Sequence, residues 1–80
     1  MFYLYILFSE KINCYYVGVS SNVEERLSRH LSNHKGYTSK VKDWIIVYTE
    51  SFETKTEALK REKQIKNWKS KAMIEKLIAS

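Results

Sequence analysis

Hydrophobic residues recur along this chain in two rhythms. Residues 3–8 (YLYILF) and 14–19 (CYYVGV) are rich in aromatic and β-branched side chains and flank the polar stretch SEKIN, the pattern of two strands joined as a hairpin. A third strand is predicted at WIIVYT, residues 44–49. Between and after these strands the spacing lengthens to that of a helix. Val23, Leu27 and Leu31 form one apolar stripe over about residues 22–34, with Ser21 placed as N-cap, Glu24 three positions on as its capping-box partner, and Gly36 past the end. Thr54 and Glu57 repeat that arrangement ahead of a second helix from Lys55 to about Asn67. Ser70 then caps a short third helix that buries Met73, Ile74, Leu77 and Ile78. The order strand, strand, helix, strand, helix, helix predicts an α+β fold, a small antiparallel three-stranded sheet (hairpin plus one strand) flanked by about three helices.

Hairpin register decides which side chains share a face, because a slip of one residue turns every side chain over. A four-residue loop from Ser9 to Ile12 sets Tyr5 opposite Tyr16. It gathers Leu4, Ile6, Phe8, Tyr15, Val17 and Val19 on one apolar face and leaves Tyr3, Tyr5, Tyr16 and Gly18 on the other, where glycine leaves room for something to approach. Tyrosine also suits half-buried strands, so each phenol taken alone needs no chemistry. On the first helix, Arg26 and His30 lie one turn apart at the edge of the apolar stripe. A guanidinium there can grip a phosphate with two prongs, and an imidazole can move a proton near neutral pH. The structural alternatives are an ion pair from Arg26 to Glu24 or Glu25 and a satisfied, half-buried histidine. Glu62 falls inside the stripe made by Ala58, Leu59 and Ile65, where the cost of desolvating a carboxylate must be offset by a cation, hydrogen bonds or a metal. Arg61 and Lys66 offer a structural ion pair. A lone carboxylate equally suits Mg²⁺, which keeps several waters and often takes only one or two protein ligands beside a substrate phosphate.

Length and charge narrow the choice. Eighty residues predict one domain, 1–80, burying about 60% of the surface of its unfolded chain. The single Cys14 excludes an internal disulfide framework, and no run approaches the ~20 apolar residues of a membrane span or the pattern of a secretory signal. A cytoplasmic protein without membrane attachment is expected. Net charge is +5, and all the excess lies at one end: residues 1–54 hold six basic and six acidic side chains, residues 55–80 eight and three. A one-sided basic surface suggests a polyanionic partner, nucleic acid before acidic lipid, although solubility alone could require it. Cys14 lacks CxxC spacing, the two histidines lack a metal-site pattern, and no glycine-rich phosphate loop or nucleophile elbow is present. Zinc, nucleotide-cofactor and acyl-transfer chemistry are thereby disfavoured.

Five positions then fall into a known order. Tyr3-Leu4-Tyr5 and Tyr16-Val17-Gly18 are separated by an eleven-residue step from Tyr5 to Tyr16, Arg26 follows ten residues beyond Tyr16, His30 four after that, and Glu62 stands in KREKQIKNW. In order, spacing and element context the chain resembles a stand-alone GIY-YIG endonuclease domain of the small bacterial type, over essentially its whole length. The resemblance implies hydrolysis of DNA phosphodiester bonds with one divalent metal, Mg²⁺ or Mn²⁺, bound at Glu62, and work in DNA repair or recombination. It implies that Tyr5 deprotonates or orients the attacking water with support from Tyr16 and His30, while Arg26 stabilises charge on the phosphoryl oxygens. Lys55, Lys60, Arg61, Lys63, Lys66 and Lys69 would hold the DNA backbone through non-specific phosphate contacts. Three departures stand out: Tyr3 replaces the glycine of the first motif, Val19 stands where repair-type members carry lysine, and the asparagine that larger members place well downstream of Glu62 has no clear counterpart, Asn67 being only five residues on. A fold alone does not establish an activity. A nucleic-acid-binding module with weak or no cleavage therefore stays open beside the nuclease, as does a purely structural or protein-interaction domain.

Overall fold

The structure, a computed structural model, describes residues 1–31 and 41–80. Its central strand, β1 (Phe2–Ser9), pairs antiparallel with β2 (Cys14–Ser20) on one side and β3 (Ile45–Phe52) on the other, so the sheet order is β2-β1-β3. Three helices complete the fold: α1 (Val23–Leu31), α2 (Lys55–Trp68) and α3 (Lys71–Ala79). The expected α+β architecture is the one observed.

Leu4, Tyr5, Ile6 and Leu7 of β1 are all buried, which explains why this strand reads as a continuous apolar run instead of an alternation: both of its faces are covered. On one face Leu4, Ile6 and Val17 pack with Ile65 of α2, joined by Trp68 and by Ile74, Leu77 and Ile78 of α3. On the other face Tyr5 and Leu7 pack with Val41 and Trp44, joined by Tyr16 and by Val23, Leu27 and Leu31 of α1. The sheet thus separates α1 from α2 and α3. No helix among the described residues is long and apolar enough to cross a membrane.

The hairpin register differs from the predicted one. Tyr5 pairs with Gly18, and Tyr16 with Leu7, a displacement of two residues. Because the side-chain period of a strand is also two, both faces keep the expected residues. The cause lies in the turn: Ser9, predicted as loop, is buried in the strand, where its hydroxyl donates to Asp43 at 2.6 Å and accepts from the Ile12 backbone N–H at 3.4 Å. Glu10 to Asn13 then make the turn, with Asn13 in the left-handed region at φ 52°. A bulge against β1 lets the consecutive residues Val47 and Tyr48 both pack on the α2 side.

Helix starts depend on local caps. Thr54 and Ser70 cap α2 and α3 as predicted, each side-chain oxygen accepting the backbone N–H three residues on at 3.3 Å. The N-cap of α1 is Asn22 instead of Ser21: Asn22 Oδ1 accepts from the Glu25 N–H at 3.1 Å. The predicted end of this helix and Gly36 lie outside the described residues. β3 runs to Phe52, three residues beyond its predicted end, and Trp44 precedes it as a core residue. Met73 and Leu59, expected in the core, are exposed, since α3 presents only Ile74, Leu77 and Ile78 to the sheet and α2 chiefly Ala58, Ile65 and Trp68.

Candidate active site

Strand β2 is an edge of the sheet, and helices from opposite faces, α1 and α2, both line an opening at that edge. The gap between them is a cleft of about 280 Å³ lined by Tyr5, Tyr16, Gly18, Val19, Arg26, Lys55, Leu59 and Glu62. Four of the five predicted catalytic side chains, drawn from β1, β2, α1 and α2, therefore meet in one place. The fifth, His30, sits behind them: it is buried on α1, and its Nε2 lies 3.1 Å from the Tyr5 hydroxyl.

Gly18 is where the space is tightest. A Cβ built on it would lie 2.5 Å from the Tyr5 hydroxyl and 2.7 Å from Tyr5 Cζ, closer than any real contact. The room expected for an approaching ligand is filled by the Tyr5 ring itself, which crosses the glycine and delivers its hydroxyl toward the cleft. Tyr16 and His30 fix that ring from the sides. The Tyr5 and Tyr16 centroids are 6.3 Å apart, and Tyr16 meets His30 edge-on at 4.7 Å with Trp44 on a further side at 6.5 Å. Burial, with the neighbouring Tyr16 next in importance, pushes the Tyr5 phenol up to about 12, and the nearby Arg26 guanidinium only partly opposes this. At neutral pH the phenol keeps its proton.

Arg26 is exposed on α1, and the ion pair of that helix is Arg29 with Glu25 at 3.5 Å, so the structural alternative of an ion pair from Arg26 to Glu24 or Glu25 is not formed. Glu62 has a largely buried carboxylate bonded to the Lys66 ammonium at 3.1 Å. Arg61, expected beside Glu62 or on DNA, turns to the sheet: its Nε and Nη2 donate to the two oxygens of Glu50 at 3.0 and 3.1 Å. Of the remaining lysines, Lys55 lines the cleft, Lys66 and Lys69 line an adjoining groove, and Lys60 and Lys63 are exposed without lining either. Among the described residues no three His, Cys, Asp or Glu side chains converge as a metal cage. A cation held here would have Glu62 as its protein carboxylate, with water and a phosphate completing the shell, a donor set that suits Mg²⁺ or Mn²⁺.

Of the departing positions, Val19 lines the cleft, while Tyr3 lies in a separate depression beside the start of α1 and Asn67 is exposed on α2. Two neighbours escaped the sequence. Leu59 contributes an exposed apolar wall, and Arg29 joins Arg26 and Lys55 around a second polar pocket of about 280 Å³ next to the cleft. Arg29 was detectable as the residue three positions after Arg26, hence on nearly the same face.

The fold has counterparts among known proteins. The family model described as the GIY-YIG catalytic domain matches residues 1–76. The UPF0213 protein SH2523 of Staphylococcus haemolyticus is 40% identical over 68 residues, 82% of this chain and 80% of that protein. The UPF0213 protein SSP2268 of Staphylococcus saprophyticus is 36% identical over 67 residues, with the same shares covered. Among solved structures, the solution NMR structure of the UPF0213 protein BH0048 from Bacillus halodurans superposes with a TM-score of 0.60 at 25% identity, covering 99% of this chain and 84% of that one. With a catalytic-domain match over nearly every residue, and relatives of comparable length, the chain belongs to the GIY-YIG family, whose domain is of nuclease type.

Proposed function

We propose that this protein is a metal-dependent endonuclease that hydrolyses DNA phosphodiester bonds. The observation that carries the proposal is the convergence of Tyr5, Tyr16, Arg26 and Glu62, from four different elements, on one cleft. Structural roles alone would not require a guanidinium, a carboxylate and a buried phenol to share one opening at a sheet edge.

Arg26, exposed and unpaired with the acids of its own helix, grips the non-bridging oxygens of a phosphate and stabilises charge there in the transition state. Lys55, across the cleft, adds to the positive field that draws the backbone in. Glu62 would hold a divalent cation, which when bound would supply polarisation of the phosphate and charge stabilisation for the departing oxygen. Lys66 neutralises Glu62 in its absence and, being half-exposed, can swing away without being desolvated. Tyr5 acts as a protonated phenol. Its oxygen accepts a hydrogen bond from the attacking water while its own proton bonds to His30 Nε2, so the water's proton can pass through the hydroxyl to the imidazole. Tyr16 holds both rings in place.

One observation favours the second function, a binding module with little turnover: Glu62 already has a cation in Lys66. Incubating the protein with supercoiled, single-stranded and branched DNA in Mg²⁺, Mn²⁺ or chelator distinguishes the two. The nuclease predicts metal-dependent nicking that disappears in Glu62→Ala and Arg26→Ala with folding retained. Binding without nicking on every substrate, indifferent to metal and to Glu62, would leave the module as the function.

A further inference from the structure

A second depression adjoins the cleft. It is a mostly apolar groove of about 390 Å³ between β2 and the junction of α2 with α3, walled by Tyr15, Tyr16, Val17, Ile65 and Ile74 and rimmed by Lys66, Lys69 and Lys71. We propose that this groove is a nucleotide subsite of the same active site: its apolar walls receive the unstacked base of the nucleotide beside the reacting phosphate, and Lys69 holds that nucleotide's own phosphate. The proposal rests on the nuclease function above and adds to it a place for a base.

Three observations carry it. The groove is continuous with the cleft, because Tyr16 lines both and Lys66, which also lines the groove, holds Glu62 at 3.1 Å. Its chemistry is divided as a nucleotide's is, carbon and aromatic surface within and ammonium groups at the rim, and its size falls in the roughly 300–1,000 Å³ range of small-ligand pockets. Backbone strain collects there as well. The two non-glycine residues with positive φ among the described residues, Asn13 at 52° and Lys69 at 49°, both line this groove. Asparagine tolerates that conformation; lysine does so at a cost, and glycine would occupy the C-cap of α2 without one. A lysine placed there in spite of that cost points to a use for its side chain. The other two ammonium groups are engaged, Lys66 with Glu62 and Lys71 with the Asn13 carbonyl at 2.9 Å, which closes one end of the groove. Lys69 has no hydrogen-bond or ion-pair partner among the described residues.

The chain's single cysteine, Cys14, also lines the groove, so its thiol reports occupancy directly. In chelator, where no cleavage occurs, the protein is mixed with oligothymidylate or with an abasic strand of the same length and charge. The rate of Cys14 reaction with a thiol-specific disulfide reagent is followed, and strand affinity is measured by fluorescence anisotropy. Oligothymidylate at saturation is expected to slow Cys14 at least about fivefold, the abasic strand hardly at all. Lys69→Gly, which relieves the strain, is expected to weaken oligothymidylate binding roughly tenfold with Tm unchanged or raised, while the charge-matched Lys42→Ala changes it less than about twofold. Equal protection by both strands would exclude a base from the groove. Binding of both strands without protection of Cys14, or equal effects of the two lysine variants, would overturn the subsite while Glu62-dependent nicking by the wild type still stood. Should neither strand bind and no such nicking occur, the nuclease function itself would fail.

Discussion

Gly18 is the residue on which the position of Tyr5 depends. With a β-carbon 2.5 Å from the phenol oxygen, Gly18→Ala must push the Tyr5 ring off the strand and break its contact with His30. Urea unfolding should show a loss of about 1–3 kcal/mol, and nicking should fall with it. An alanine variant of wild-type stability and activity would mean that the ring does not need its place over the glycine. Tyr5 makes a second prediction. Its pKa is raised to about 12, burial outweighing Arg26, so the phenol is protonated throughout the working range. The nicking rate should therefore not climb steadily through pH 9–10, and Tyr5→Phe should lower the rate without moving the pH profile in that region. A climb that vanishes in Tyr5→Phe would mean a phenolate base and refute the proton path through His30. The grouping of Tyr5, Tyr16, Arg26 and Glu62 around one cleft was legible in the sequence because motif spacing marks them. The use of Gly18 was not, since it follows from a register two residues removed from the simplest one. Nor was the partner of Arg61, which lies on another element that only tertiary packing brings near.

Elements were legible where their signals are local. Thr54 and Ser70 cap the helices that they precede, and the apolar stripes of α1 and α3 face the sheet from opposite sides. Thr54→Ala should accordingly cost about 1 kcal/mol in chemical unfolding. What the sequence obscured depends on distant contacts: Asp43 holds Ser9 in the strand and shifts the turn, and the bulge in β3 is a property of its pairing with β1. One charged tie between elements is also non-local. Glu50 of β3 accepts two hydrogen bonds from Arg61 of α2 and one from Tyr48. Burial raises the Glu50 pKa, but the bonds from Arg61 and Tyr48 outweigh it and hold the carboxyl below its ordinary 4.5. The unfolded chain then binds the proton more readily, so this contribution is complete above pH 4.5 and disappears as pH falls through the lower folded value. Glu50→Gln should be less stable than wild type by about 1–2 kcal/mol at pH 7, with the difference shrinking below about pH 4. A gap between the two proteins that stays constant down to pH 3 would show that packing, not charge, joins β3 to α2.

At the scale of the molecule, the question is whether the basic second half acts as a general polyanion surface or as a defined path. Residues 55–80 carry eight basic side chains, but Arg61 is bonded to Glu50, Lys71 to the Asn13 carbonyl and Lys66 to Glu62. With Arg26 and Arg29 of α1, the basic side chains facing the β2 edge fall into three adjoining depressions: Arg26, Arg29 and Lys55 around one, Arg26 and Lys55 in the cleft, Lys66, Lys69 and Lys71 in the groove. A strand laid along that edge would meet about three to five of these cations. Each phosphate neutralised on single-stranded DNA contributes about −0.7 to the slope of log affinity against log salt, so a path along β2 predicts a slope of about −2 to −3.5. Engagement of every basic residue from 55 to 80 would instead give roughly −5 to −6. The titration also separates the residues. Lys55→Ala, at the cleft, should flatten the slope by about 0.7, whereas Lys60→Ala and Lys63→Ala, on the outer side of α2, should leave it nearly unchanged. A steep slope eroded equally by all three variants would place the DNA across the outer surface of α2 instead of along the cleft, and a cleft that binding bypasses could not be where the backbone is cut.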